Sequence, residues 1–332
     1  MSSGPRSTKP PAGACLGEED VGQAAVSILD SGGQVLEVGE DVVAPVRNRR
    51  RRPSVQLVHD SIHYRRTQVG LALVALSVAV AIVGPYLAPH SPYEFVDTPF
   101  ASPSATALLG TDVIGRDVLS RVLCGGRSVL LMALGATVVG VLLGTALGLL
   151  AGYAREAVDE GVMRVLDAVM SFPQIVLALL IVSIIGPRLW LIVLTVGVSH
   201  APRVARVVRC VALEIKELDY VKAAESLGLS HVRIVLGEIL PMLSSPLAVE
   251  FGLRMTLSIG IVAGLSFLGF GIQPPAPDWG LMLNENRVGV ALQPFAVFAP
   301  VSMIAILTVG FNFVTDGFAR AMIGIDRDTG AA

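Results

Sequence analysis

The sequence predicts an all-α, polytopic membrane protein with six transmembrane helices and both termini in the cytoplasm. Three observations predict it. Of 332 residues, 53% are apolar and only 16% are charged, where a soluble domain carries about 25%. Mean hydropathy is +0.67. Apolar runs long enough to cross a bilayer, about 20 residues, recur along the chain, and Lys and Arg fall unequally between alternate connections. The formal net charge of -2 leaves no basic footprint for nucleic acid. Three distant cysteines, Cys15, Cys124 and Cys210, make neither a disulfide framework nor a metal knuckle. The 34 glycines point to helices that approach closely.

The spans follow in order. Val69–Ala88 and Val129–Tyr153 contain no charged residue. Ala168–Gly186 is a third uncharged run, entered through the amphipathic stretch Glu160–Asp167. Leu189–Ser199 is apolar and continues into a basic stretch. Ser244–Gly271 is apolar apart from Glu250 and Arg254, and Phe295–Thr315 is the last. Lys and Arg resist translocation. With the N-terminus inside, the cytoplasmic side holds seven of them from Arg47 to Arg66, two in Arg155 and Arg164, six from Arg203 to Arg233, and Arg320 with Arg327. The outer side holds only Arg116, Arg121, Arg127, Arg188 and Arg287.

Residues 1–66 read as a largely flexible cytoplasmic extension, 67–326 as the membrane domain and 327–332 as a short tail. No apolar core occurs early enough for a cleaved signal peptide. The Arg49–Arg52 run fits a topology determinant held against anionic lipid or a partner-protein site, and Gln34–Val38 is a short strand-like run.

Chemistry-bearing motifs are missing. The only lysines are Lys9, Lys216 and Lys222, and none follows a glycine, so no phosphate-cradling Gly-Lys-Ser/Thr loop exists. There is no H-E-x-x-H and no G-x-S-x-G elbow. The sequence therefore predicts no enzyme, no catalytic residue, no bound metal and no cofactor on this chain; energy for transport must come from a partner or an ion gradient.

The most informative connection is Ala201–Pro241. A short amphipathic helix, Tyr220–Leu227, ends at Gly228, where a left-handed conformation is cheap only for glycine. Ser230 stands where it can cap a second helix, and Pro241 marks that helix's end or kink. Ala223 and Ala224 then form a face on which another protein can approach closely. By pattern alone, an ordinary interfacial helix fits as well.

The spacing of Ala223, Ala224, Gly228, Leu240 and Pro241 resembles the EAA loop of ABC-importer permeases, with Lys222 in place of the usual leading glutamate. In that family the loop is a coupling helix that docks in a groove of the ATPase subunit. Leu109–Arg121 is similar to the signature after the first span in the second, C-type permease subunit of dipeptide/oligopeptide (peptide/nickel) importers. Val158–Pro173, Leu265–Trp279 and Asn312–Gly317 fit the same subfamily, and the similarity runs from about Val69 to Asp326. The resemblance implies a second permease of the same fold, two ATPase subunits that carry ATP and Mg, and an extracellular or periplasmic peptide-binding protein. It implies di- or oligopeptide cargo, with nickel or another small solute as the alternative, and the cytoplasmic (inner) membrane of a prokaryote. A stand-alone secondary transporter would need convergent intramembrane ion sites, for which only Glu250 and Arg254 are candidates.

Each remaining segment has its own physical reading. Asp112 and Asp117 flank Gly115 and Arg116, which predicts a tight turn with carboxylates capping backbone N–H groups; the ligand spacing of a calcium loop is absent. Gln273–Trp279 holds three prolines and cannot be regular helix, so it is either a rigid element at the outer mouth or a plain loop. Glu250 and Arg254 are one helical turn apart and predict an ion pair, because each alone costs about 2.5–3.5 kcal/mol in the bilayer; a direct substrate role is the other reading. Arg203, Arg206 and Arg209 recur every third residue and suit contact with charged lipid or an ATPase subunit. His200 and a buried-looking Asp167 are candidates for proton relay or for structural roles.

Overall fold

A computed structural model describes residues 64–153 and 156–323. The Gln34–Val38 and Arg49–Arg52 segments, Arg155 and Arg327 lie outside the described residues. Twelve α-helices follow one another: α1 (Arg65–Leu87), α2 (Val118–Cys124), α3 (Gly126–Tyr153), α4 (Glu156–Met170), α5 (Gln174–Ile185), α6 (Leu189–Lys216), α7 (Asp219–Ser226), α8 (His231–Ile234), α9 (Leu240–Met242), α10 (Ser244–Phe267), α11 (Trp279–Asn286) and α12 (Phe295–Ile323). Among the described residues no strand occurs beyond the isolated bridges Phe95–Arg116 and Thr111–Asp117.

Among the described residues, five helices are long and apolar enough to cross a membrane: α1, α2 with α3, α6, α10 and α12. The expected third span, Ala168–Gly186, is not one helix. It bends by 80° between α4 and α5, because Pro173 disfavours helical backbone at Phe172. The 12 residues of α5 cover only about 18 Å at 1.5 Å per residue, so a sixth crossing exists only if the bent pair counts as one. Nor does the fourth span stop at Ser199. α6 runs unbroken through Pro202 and the three arginines to Lys216, so most of the expected long connection is helix.

Glycine sets the closest contacts. A Cβ on Gly140 would lie 2.8 Å from the Cβ of His200, and one on Gly144 2.5 Å from that of Val204. These positions on α3 repeat every fourth residue, which lets α6 lie along the same stripe at backbone distance. The pairing carries the largest shared interface of the bundle. Around it lie three apolar clusters. One joins α2, α3, α10, α11 and α12 around Trp279, Met255 and Leu307. One joins α3, α5, α6 and α10 around Ile192, Val182 and Leu265. The last joins the far end of α6 to α7 and α8 through Ile215, Val221 and Ile234.

Candidate functional site

The loop between α6 and α10 is built as a unit. α7 ends in a left-handed glycine: Gly228 has φ 76°. Its N–H donates to the Glu225 carbonyl at 2.9 Å, and the Leu229 N–H reaches back to the Ala224 carbonyl at 3.2 Å. This paired pattern closes a helix whose last carbonyls would otherwise be orphaned. Ser230 starts α8 with extended backbone, but its side chain makes no cap hydrogen bond; the expected cap is a backbone turn only. A wider π turn, Val235–Ile239, then precedes Leu240 and Pro241. Proline lacks an N–H and its ring crowds the carbonyl four residues back, and the wider turn relieves both.

The two alanines do not share a free face, as the sequence suggested. Ala224 and Val221 are buried against α6 and α8, whereas Ala223 is exposed. A helical turn of 3.6 residues cannot turn adjacent side chains to one side. The outward surface is formed instead by Leu227, Val232 and Leu236, which are 81%, 68% and 57% exposed. Lys222 lies at its edge, 2.9 Å from Glu217. That hydrogen bond holds the ammonium above its ordinary value and the carboxylate below its own, but both groups are in solvent and the pair adds little.

Tyr153, at the end of α3, fastens this unit from the side and carries no pattern a sequence reading would select. Its hydroxyl donates to Glu225 Oε1 at 2.6 Å and lies 3.3 Å from His231 Nδ1. Its single proton goes to the carboxylate, so His231 donates to the phenol oxygen. The Lys216 ammonium stands 5.2 Å from the ring centre.

A second constellation occupies the other end of the bundle. Gly115 is left-handed (φ 87°), and Asp112 Oδ1 accepts from the N–H groups of Ile114 and Arg116 at 3.0 and 2.9 Å. Asp117 caps α2, accepting from the Ser120 N–H at 3.0 Å and hydroxyl at 2.6 Å. Arg116 and Arg121, counted in the sequence among the cations of an outer connection, are buried. Asp112 Oδ2 accepts from Arg116 Nε at 2.7 Å and Arg121 Nη1 at 3.1 Å. Glu285 Oε2, on α11, accepts from Arg116 Nη2 at 3.0 Å and Arg121 Nη2 at 2.8 Å. Glu285 lies 164 residues from Arg121, and nothing local in the sequence marks it. Burial pushes its carboxyl up, with the Arg116 charge opposing.

The proline segment is fixed beside this cluster. Asp278 caps α11 by accepting from the Leu281 N–H and from the Ser128 hydroxyl at 2.7 Å; burial raises its carboxyl above the usual range, against those hydrogen bonds. Trp279, fully buried, donates its indole N–H to the Val122 carbonyl at 2.8 Å. Among the described residues no group of three or more His, Cys, Asp or Glu side chains forms a metal site.

Within the bundle, Arg254 Nε donates to Glu250 Oε2 at 3.1 Å, with both residues buried. Arg206 and Arg209 pair with Asp167 and Asp159 of α4, the latter at 2.5 and 2.6 Å, while Arg206 stays exposed. Asp167, which looked buried, is an exposed partner of Arg206. His200 is fully buried and joins three helices: its Nδ1 is 3.3 Å from Gln174 Nε2 and its Nε2 3.0 Å from Ser258 Oγ. Gln174 Nε2 can only donate, so Nδ1 accepts and Nε2 carries the imidazole proton.

Residues 144–323 match the family described as "Binding-protein-dependent transport system inner membrane component". The glutathione transport system permease protein GsiD of Pectobacterium atrosepticum is 38% identical over 251 residues, 75% of this chain and 83% of the relative. The dipeptide transport system permease protein DppC of Alkalihalophilus pseudofirmus is 34% identical over 255 residues, 76% and 84% of the two chains. GsiD of Escherichia coli O157:H7 is 36% identical over 264 residues, 78% and 87%.

Proposed function

From the premise that the chain belongs to the binding-protein-dependent inner membrane components, and is a multi-pass permease subunit of an ABC importer, we propose that it moves small peptides and is driven through the α7–α8 unit. Peptide cargo is supported by the glutathione and dipeptide permeases it is similar to; neither is a nickel permease. The partners in this reading are a second permease of like fold, two ATPase subunits that bind ATP and Mg, and a peptide-binding protein outside.

One observation carries the coupling. The α7–α8 unit is sealed on one side into the bundle by Val221, Ala224 and Ile234, and on the other presents Leu227, Val232 and Leu236. Exposed apolar side chains outside the spans, on a rigidly held base, fit a docking surface for a protein. The Lys and Arg excess around it, Arg209 to Arg233, supports a cytoplasmic location for this end and for both termini. ATP-driven closure of the ATPase pair then moves a stiff handle rather than a loop, and the bundle switches between outward and inward access.

The test is Leu227→Asp in proteoliposomes holding the complete transporter. Uptake should fall about tenfold or more with the complex still assembled and its melting temperature unchanged. Wild-type uptake would contradict the docking role. Ala224→Glu should instead lower thermal stability, since its carboxylate is buried inside the chain.

A further inference from the structure

Of the three arginines on α6, two are explained and one is not. Arg206 and Arg209 hold the aspartates of α4. Arg203 is exposed and has no ion pair among the described residues. It lies about 21 Å along α6 from Leu189, at 1.5 Å per residue, still within an apolar core about 30 Å thick. An ionised side chain at that depth faces protein or a water-filled path, not lipid.

Its neighbourhood supplies the second observation. Arg254 is 7% exposed and Nη1 is buried with no hydrogen-bond partner, although Nε is satisfied by Glu250. A guanidinium has five N–H donors, and a buried one left unmade is costly. His200 on α6 lies 3.0 Å from Ser258 on α10, and Arg203 and Arg254 each stand one helical turn from that contact toward the α7 end of the bundle, so the two guanidiniums share one region. His200 is neutral there by its hydrogen bonds, and Glu250 offsets only one of the two cations. The local balance is positive by one charge, at membrane depth, beside the start of the short helix α5.

We propose that Arg203 and Arg254 form a carboxylate-binding subsite on the transport path, and that the carboxylate is the terminal group of the peptide cargo. The inference rests on the peptide reading above. Arg203 is the accessible arm. Arg254, positioned by Glu250, supplies a desolvated donor that strengthens the interaction. A two-cation subsite recognises the one feature that all free peptides share, and so it passes cargo without reading side chains. The same chemistry is available from an Asp or Glu of the neighbouring permease subunit, and the experiment separates the two sources.

Arg203→Cys is made in a chain whose Cys15, Cys124 and Cys210 are serine, and the complete transporter is reconstituted. Uptake of a free-acid dipeptide should fall at least tenfold. Reaction of the thiol with a water-soluble cationic methanethiosulfonate should bring uptake back to within threefold of the parent, while the anionic reagent should not. Equal uptake by the cysteine variant, equal effects of the two reagents, or a thiol unreactive from water would each overturn the proposal. Loss of co-purification of the two permease subunits on Arg203→Cys would assign the carboxylate to the neighbour and overturn the cargo assignment. Absence of dipeptide uptake by the unaltered transporter is a separate result; it would remove the peptide reading and this subsite with it.

Discussion

Gly228→Val should cut ATP-driven uptake by the assembled transporter more than tenfold, while Gly228→Asn retains most of it. The reason is conformational rather than steric. A Cβ at Gly228 meets nothing within 4 Å, yet φ is 76°. A left-handed residue with a side chain costs about 1–2 kcal/mol, and a β-branched one is a genuine outlier there. Asparagine tolerates the conformation far better. Valine drives the turn toward ordinary backbone, which breaks the hydrogen bonds to the Glu225 and Ala224 carbonyls and re-aims Leu227 relative to Val232. The bundle does not depend on that turn, so subunit assembly and ATP hydrolysis by the partner subunits remain measurable. Equal uptake by the valine and asparagine variants would show that the end of α7 need not be fixed.

The second large effect is on stability. Asp112→Ala should lower the melting temperature of the purified transporter by about 6–20 °C. Asp112 accepts from two backbone N–H groups and from two buried guanidiniums. Removing one member of a buried charge network leaves the rest uncompensated and costs about 3–5 kcal/mol. For a domain of this size each kcal/mol corresponds to roughly 2–4 °C. Glu285→Gln should cost less, because Glu285 is partly exposed and engages neither backbone group. If Asp112→Ala melts within about 2 °C of the parent, the cluster does not hold the segment before α2 to α11.

The spans were legible because lipid exposure demands long apolar runs, and their locations follow the runs from Val69 to Thr315. Where the reading slipped, the cause is specific. The run 168–186 is uncharged throughout, but Pro173 breaks it, and the 80° bend follows from backbone sterics that hydropathy ignores. α6 continues past Ser199 through a stretch whose Arg206 and Arg209 pair with α4, a partnership that hydropathy does not register. The turn at Gly228 and the pair Glu250–Arg254 were legible because both are local in sequence. Glu285 and Tyr153 were not, since each acts on residues far away in the chain. Ala223 and Ala224 illustrate the opposite error: their type is informative, but which of two adjacent residues faces inward is fixed by the packing of Val221.

A cysteine placed at Leu227 tests the coupling role most directly. With the complete transporter in membranes and the native cysteines of this chain removed, a short thiol-directed cross-linker should join Leu227→Cys to an ATPase subunit, and ATP should change the yield. Labelling of that cysteine only from the outer side of the membrane, or cross-linking to no ATPase subunit in any nucleotide state, would contradict it.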